Sequence, residues 1–359
     1  MNNFLNEIIK SVYLSAENKE DILNILGGDV EKEEKDSINL VLNKPTIEAD
    51  KIIEYKGQEQ KKFIFRPRNL NEYIGQEKAK KIIKINIEKI KKLKPVHFLI
   101  DGLKGHGKTT LSYIISNLLN SIVYEIIASD MTQDKIVEMV NWVNQQKNNV
   151  VVFIDEIHGL LPDIVEIFYP VMEDFKIYGK KIKPFVLIGA TTEKNILVKK
   201  FSPFIDRFNV QITLERYTSK DITKILLQYQ KQLYPQFEFD KEAIEKISRN
   251  CKFTPRIAIS LLEDYLVAGD IKEVLDMHNI VIEGLTKKDI QILETLYKNK
   301  KPIGEETMAM MLGLSRSDYK FLHEAYLIEM GYMARGRSGR IIIDKGTELL
   351  KNLNKGGLI

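Results

Sequence analysis

The sequence predicts a doubly wound α/β protein on a parallel sheet, followed by a helical domain and a terminal module of helices and a hairpin. Three observations predict it. Five short apolar runs alternate with helical patterns between residues 96 and 214. A glycine-rich loop, GLKGHGKT (Gly102 to Thr109), joins the first run to a helix. After Leu214 the pattern turns helical until GYMARGRSGRIII, where basic residues sit in a turn between apolar runs.

The runs VHFLID (96–101), IVYEII (122–127), VVVFID (150–155), FVLIGA (185–190) and VQITL (210–214) are short and read as essentially unbroken apolar stretches. Such runs suit strands of a parallel sheet covered on both faces. Between the first two, Leu111, Ile114, Ile115, Leu118 and Leu119 fall on one helical face, and this βα alternation argues a layered α/β fold. Thr218 with Asp221 forms a capping-box pattern opening a helical region that runs through 241–250 and 255–268 and ends near Glu283. A second capping box, Thr286 with Asp289, opens three helical patterns (286–298, 304–312, 315–330) ahead of the basic hairpin, the layout of a winged helix-turn-helix. The expected division is an acidic, partly helical extension (1–60), a large α/β domain (61–214), a helical lid (215–284) and a winged helix (285–352).

Composition narrows the function classes. Apolar residues at 44% and charged residues at 29% are ordinary for a globular protein. A single cysteine, Cys251, excludes an internal disulfide and a cysteine-based zinc site, which favours a reducing, cytoplasmic setting. No run approaches the roughly 20 apolar residues of a membrane span, and the N-terminus lacks a signal-peptide layout, so no membrane partner is expected. Residues 1–60 carry seven Lys/Arg against thirteen Asp/Glu, whereas 285–359 carry thirteen against nine. An acidic head on a basic body points mildly to a polyanionic partner for the body.

The loop at Gly102–Thr109 fits G-x-x-x-x-G-K-[ST] at each required position. Gly102, Gly105 and Gly107 let backbone N–H groups wrap phosphates, and the following helix N-terminus adds positive potential. Lys108 is placed for the outer phosphates, Thr109 for magnesium, and Thr110 follows beside the nucleotide. In VVVFIDE, a carboxylate pair at the end of a buried strand is costly unless it meets a cation. Asp155 is therefore expected to hold Mg2+ and Glu156 to polarise the attacking water. Together the two motifs predict binding and hydrolysis of a nucleoside triphosphate. His158 and Cys251 are read as packing or hydrogen-bonding groups.

From Arg66 the chain resembles the RuvB family, the AAA+ motors of Holliday-junction branch migration. RPRNLNEYIGQEKAK (66–80), FIDEIHGL (153–160), YPVMEDF (169–175), LIGATT (187–192), SPFIDRF (202–208) and TPRIA (254–258) carry the resemblance. Tyr326, Leu327, Gly331 and Arg335 to Arg340 match the family's winged helix. The resemblance implies a ring, typically a hexamer, with Arg207 as a finger reaching the neighbour's nucleotide. It implies Thr192 as a polar sensor and Arg256 as a second sensor in cis. Tyr73, Ile74 and Tyr169 would surround adenine, and Arg335, Arg337 and Arg340 would contact DNA phosphates. The plainer alternative for Arg207 is an ion pair with a surface carboxylate.

Two departures stand out. The family carries a long β-hairpin that docks RuvA, whereas nine residues, Lys176 to Pro184, separate Phe175 from Phe185 here. Nine residues allow a tight hairpin only, which weighs against that docking. The acidic extension has no family counterpart. The expected function is an ATP-driven, ring-forming motor acting on duplex or four-way DNA. A nucleotide-controlled DNA switch of the clamp-loader kind, or a protein-remodelling ATPase, shares the same ATPase motifs.

Overall fold

The computed structural model describes residues 65–238 and 240–355. The acidic extension expected at 1–60 lies outside the described residues. Chain order gives β1 (Phe98–Asp101), β2 (Ser121–Ile127), β3 (Asn149–Asp155), a hairpin of β4 (Lys176–Ile177) and β5 (Lys180–Lys181), β6 (Val186–Thr191) and β7 (Val210–Thr213). Five of these form one sheet in the order β2-β3-β6-β1-β7, with all neighbours parallel. Cover on both faces holds for the central strands β1, β3 and β6, whereas the edge strand β7 alternates buried Val210 and Ile212 with exposed Gln211 and Thr213, and β2 is only partly buried. Val151 and Phe153 enter one core and Val150, Val152 and Ile154 the other, so alternate residues serve opposite faces.

Helices α1 (Glu77–Lys92) and α2 (Lys108–Leu118) cover one face. Helices α3 (Gln133–Gln145), α4 (Pro162–Glu173) and α5 (Lys194–Asp206) cover the other. His97, at the amino end of β1, ties the layers together. Its Nδ1 accepts the Leu187 N–H at 3.0 Å and its Nε2 lies 3.0 Å from the Met172 carbonyl. Accepting at Nδ1 fixes the neutral ring with its proton on Nε2, and burial pushes its pKa down to about 4.

The β4–β5 hairpin turns through Tyr178 (φ 45°) and Gly179 (φ 76°). Two consecutive positive φ angles make a type I′ turn, the tight hairpin that nine residues permit. Lys176, Tyr178, Lys180 and Lys181 are exposed on it.

Beyond β7, helices α6 (Ser219–Leu233), α7 (Lys241–Asn250), α8 (Pro255–Ala268) and α9 (Ile271–Met277) pack around Leu226, Ile247, Leu261 and the buried Cys251. Thr218 and Asp221 close the expected capping box. Burial raises the Cys251 thiol to about 11, so it is an inert core group. The strands do not stop at Leu214. A hairpin of β8 (Ile280–Ile282) and β9 (Leu285–Thr286) turns at Glu283 and Gly284, both with positive φ. The sequence offered only five residues and one Glu-Gly turn for it.

The terminal module has its own core around Leu293, Met308, Tyr319, Leu327 and Leu350. It comprises α10 (Lys287–Asn299), α11 (Glu305–Met311) and a third helical segment, Arg316 to Glu329, which is π-helical over Tyr319–Glu324. The wing is β10 (Met333–Gly336) paired with β11 (Gly339–Ile342), and α12 (Asp344–Lys355) closes the core.

Candidate active site

The glycine-rich loop leaves the carboxyl end of β1 and enters α2 at Lys108, with Gly107 capping at φ 90°. Two glycines are required by contact as well as by φ. A Cβ on Gly107 would lie 2.8 Å from the Tyr73 hydroxyl, and one on Gly105 would lie 2.9 Å from Thr254 Cγ2. Lys108 Nζ donates back to the carbonyls of Gly102 (2.9 Å) and Leu103 (3.3 Å), which holds the ammonium under the loop. Burial pushes its pKa down, against the pull of Glu156, Asp155 and Asp101. Burial likewise lifts the carboxyls of Asp155 and Asp101 above the ordinary aspartate range. Buried Lys108 and half-buried Asp101 and Asp155 are each partly starved of water, the state that favours uptake of a compensating ion pair.

At the end of β3, the Asp155 carboxylate accepts the Glu156 N–H at 3.0 Å. Glu156 itself sits in the left-handed region, φ 48°. That is an uncommon conformation for a residue with a side chain, and such outliers persist where surroundings over-determine them. Thr192, just beyond β6, supplies part of the restraint. Its Oγ1 donates to Glu156 Oε2 at 2.9 Å and its N–H lies 3.3 Å from the same oxygen. His158 Nδ1 sits 3.0 Å from Thr191 Oγ1 and 3.3 Å from Glu156 Oε2, so it is part of the support.

These groups open into one cleft of about 700 Å³, lined by Tyr73, Ile74, Gly105, Gly107, Lys108, Thr109, Thr110, Asp155, Glu156 and Arg256. One wall is the sheet edge and loop; the other is the lid, through Ile225, Tyr229, Pro255, Arg256 and Ile259. Two tyrosines floor it. Tyr217 donates to Tyr73 Oη (3.3 Å) and lies 3.3 Å from the His106 carbonyl. Sequence reasoning missed Tyr217. Its signal was its place between the last sheet strand and the Thr218 capping box, where the lid begins. A hydroxyl (Thr109) and one carboxylate (Asp155) in the same cleft suit magnesium, which takes few protein ligands and completes its shell with water and phosphate oxygens. Among the described residues no cluster of three or more His, Cys, Asp or Glu competes as a metal cage.

Four expected residues lie outside the lining: Gly102 and Thr192, which are joined to it through hydrogen bonds with Lys108 and Glu156, and Tyr169 and Arg207, which are not. Tyr169 does not reach the wall formed by Tyr73 and Ile74; it faces Phe204, and the Arg207 guanidinium stacks over its ring at 4.1 Å. The helix α4 that bears it packs on the opposite face of the sheet from Tyr73, which is the physical reason. Arg207 donates to the Pro203 carbonyl at 2.6 Å and pairs with Glu173 at 3.1 Å.

On the winged helix the three arginines part ways. Arg335 and Arg337 are exposed at the wing. Arg340 is not available to DNA. Its side chain is 6% exposed, paired with Glu324 and, at 2.7 Å, with Glu305. Its backbone also bridges to Ile303, which draws the strand inward. The exposed basic face is instead completed by Arg316 and Lys320, which line a depression of about 450 Å³ with Glu305, Ser317, Phe321 and Arg335; Arg316 Nε donates to Glu305 at 2.7 Å. Helical spacing of Arg316 and Lys320 was the available signal.

A parallel sheet in this order, with a phosphate loop at the end of β1, an acidic pair at the end of β3 and a helical lid over both, defines an ATP-hydrolysing P-loop enzyme of the AAA+ class. Residues 65–214 match the Holliday junction DNA helicase RuvB P-loop domain, and residues 282–351 match the RuvB C-terminal winged helix domain. A RuvB from Mycoplasma genitalium, named Holliday junction branch migration complex subunit RuvB, is 33% identical over 306 residues, covering 80% of this chain and 97% of that protein. The namesake from Thermotoga maritima is 32% identical over 313 residues, covering 80% and 92%. The solved structure of the Thermotoga maritima RuvB Holliday junction branch migration motor superposes with a TM-score of 0.69 and 32% identity, over 80% of this chain and 98% of that one. The chain belongs to the RuvB family. Among the described residues no helix is long and apolar enough to cross a membrane.

Proposed function

We propose that this protein is an ATP-driven, ring-forming motor that moves duplex DNA and so drives branch migration of Holliday junctions. The observation that carries the reading is the split between two sets of residues. Lys108, Thr109, Asp155, Glu156 and Arg256 share one cleft, while Arg207 stands outside its lining. A cleft that holds the phosphate-loop, magnesium and lid groups while Arg207 stands apart invites a cation from a neighbouring copy.

In that reading Gly102, Gly105, Gly107 and Thr110 wrap the triphosphate and Lys108 meets its outer oxygens. Thr109 and Asp155 hold Mg2+, which supplies charge neutralisation on the phosphates when bound. Glu156 orients water, its carboxylate aimed by Thr192, and Arg256 carries the lid's response to the nucleotide. Tyr73 and Ile74 flank the base, with Tyr217 beside them. Arg207 leaves Glu173 to complete the site of the next subunit in a hexamer. The large domain (61–214), lid (215–284) and winged helix (285–352) then act in series. The wing offers Arg335 and Arg337 to backbone phosphates, contacts that give affinity and salt dependence without reading sequence. The two-residue hairpin turn at Tyr178 and Gly179 supports loading without RuvA docking of the usual kind.

The test is steady-state ATPase with and without four-way DNA, read beside the size of the assembly. An arginine supplied in trans is worth roughly 10³–10⁵ in rate, so Arg207→Ala should abolish DNA-stimulated turnover while leaving nucleotide binding and ring size intact. DNA-stimulated turnover that survives Arg207→Ala removes the trans-site reading; hydrolysis without strand displacement would reduce the motor to a switch.

A further inference from the structure

The lid and the winged helix meet at a short loop, Cys251 to Thr254, whose backbone is unusual. Lys252 (φ 49°) and Phe253 (φ 52°) both occupy the left-handed region, two side-chain-bearing residues in succession. Single residues visit that region; consecutive ones need surroundings that hold them there. Both sides of the loop supply such surroundings, and the two sides differ in kind.

One side faces the nucleotide. Thr254 Cγ2 and the Arg256 Cβ press on Gly105 of the phosphate loop, so closely that any side chain at Gly105 would collide with them. The other side enters the DNA-binding module. Lys252 Nζ donates to Asp289 Oδ2 at 2.9 Å and to the Leu322 carbonyl at 3.3 Å, and lies 5.0 Å from the Tyr326 ring centre. Asp289 is fully buried, caps α10 through Thr286, and also meets His323 Nδ1 at 2.7 Å. Leu322 and His323 belong to the π-helical turn that carries Lys320 and Phe321 to the exposed basic face. π-Helical turns recur at functional positions in otherwise α-helical segments.

A second tether starts in the hinge. Arg216 lies between the last sheet strand and the lid's first helix. Its Nη1 lies 3.4 Å from the Lys252 carbonyl, its guanidinium sits 5.8 Å from the Phe253 ring centre and 5.4 Å from that of Tyr326, and it pairs with Glu329 of the winged helix. Hinge, strained loop and DNA-facing turn are thus joined by two cations.

We propose that the Cys251–Thr254 loop is the element through which the nucleotide site biases the winged helix, with Lys252 and Arg216 as its positioning residues. Nucleotide that engages Arg256 displaces one end of the loop; the other end is bound to the turn that presents Lys320 and Phe321. A loop held in an uncommon conformation from both sides has a preferred arrangement for each occupancy of the cleft, and coupling between sites is the free-energy difference between those arrangements. The inference rests on the motor reading only in taking the winged helix as the DNA face.

The full-length protein is titrated onto labelled four-way DNA at fixed salt, with and without a non-hydrolysable ATP analogue. Coupling of this kind shifts affinity about 5- to 150-fold, and reciprocity requires DNA to shift the analogue's affinity by the same factor. Glu329→Gln, at the exposed end of one tether, and Lys252→Met should each bring that ratio to within about twofold of one, with Lys252→Arg restoring part of it. Analogue affinity without DNA and the salt slope of nucleotide-free DNA binding should stay at wild-type values, which general loss of structure would not allow. A folded Glu329→Gln and a folded Lys252→Met that both keep the wild-type ratio overturn the proposal. A wild-type protein whose DNA binding is tight but indifferent to the analogue overturns it too, while absent DNA binding overturns the motor reading itself.

Discussion

Arg340→Ala should disrupt the winged helix rather than weaken a DNA contact. The guanidinium sits at 6% exposure between Glu324 at 4% and Glu305 at 11%, donating to both. Its removal leaves the Glu324 carboxylate buried without a cation. Breaking a buried pair from one side costs about 3–5 kcal/mol. A domain of 60–100 residues loses roughly 4–8 °C of melting temperature per kcal/mol, so the module's transition should fall by more than about 10 °C. Thermal unfolding by circular dichroism and DNA titration across salt concentrations distinguish the two roles. Arg335→Ala is the control: exposed, and without an ion pair among the described residues, it should melt like wild type and lower the salt slope by about one. An Arg340→Ala protein that behaves like that control refutes the reasoning.

Three further outcomes follow from the same geometry. Thr192→Val removes the hydroxyl that donates to Glu156; a hydrogen bond to a charged group is worth about 1.5–3 kcal/mol, so kcat should fall about 10- to 100-fold with little change in KM for ATP. His97 should give a stability loss on acidification. Its folded pKa of about 4 lies below the ordinary 6.5, so the unfolded chain binds the extra proton between those values and stability is full above the upper one. Urea unfolding should lose roughly 3 kcal/mol from this group between pH 7 and 4, and His97→Asn should flatten that part of the profile. Gly107→Ala forces a Cβ to 2.8 Å from the Tyr73 hydroxyl at φ 90°, so equilibrium dialysis should show nucleotide affinity reduced while the fold persists.

The parts legible in the sequence were those whose cause is local. The sheet was readable because its central strands are apolar on both faces, and the cleft because glycines, Lys108, Thr109 and the Asp155–Glu156 pair each follow from a strand end. What stayed hidden depends on contacts distant in sequence. Arg340 looks like its exposed neighbours until Glu305 and Glu324, 35 and 16 residues away, are folded against it. Tyr169 is helical and near the right motifs, but the sheet stands between its helix and the Tyr73 side of the cleft. Tyr217 and the β8–β9 hairpin are too short a signal to read alone, and His97 gains its role only from Met172 and Leu187.

In the proposed ring the Arg207–Glu173 ion pair of one copy has to open for Arg207 to serve the next. Mixing Arg207→Ala with Lys108→Ala tests this most directly. Each variant alone should be inert toward ATP in the presence of four-way DNA. Their mixture should regain turnover, because a Lys108→Ala subunit still offers its arginine to an intact cleft next door. Inactivity of the mixture despite proven co-assembly, or full activity of Arg207→Ala alone, would contradict a site shared between subunits.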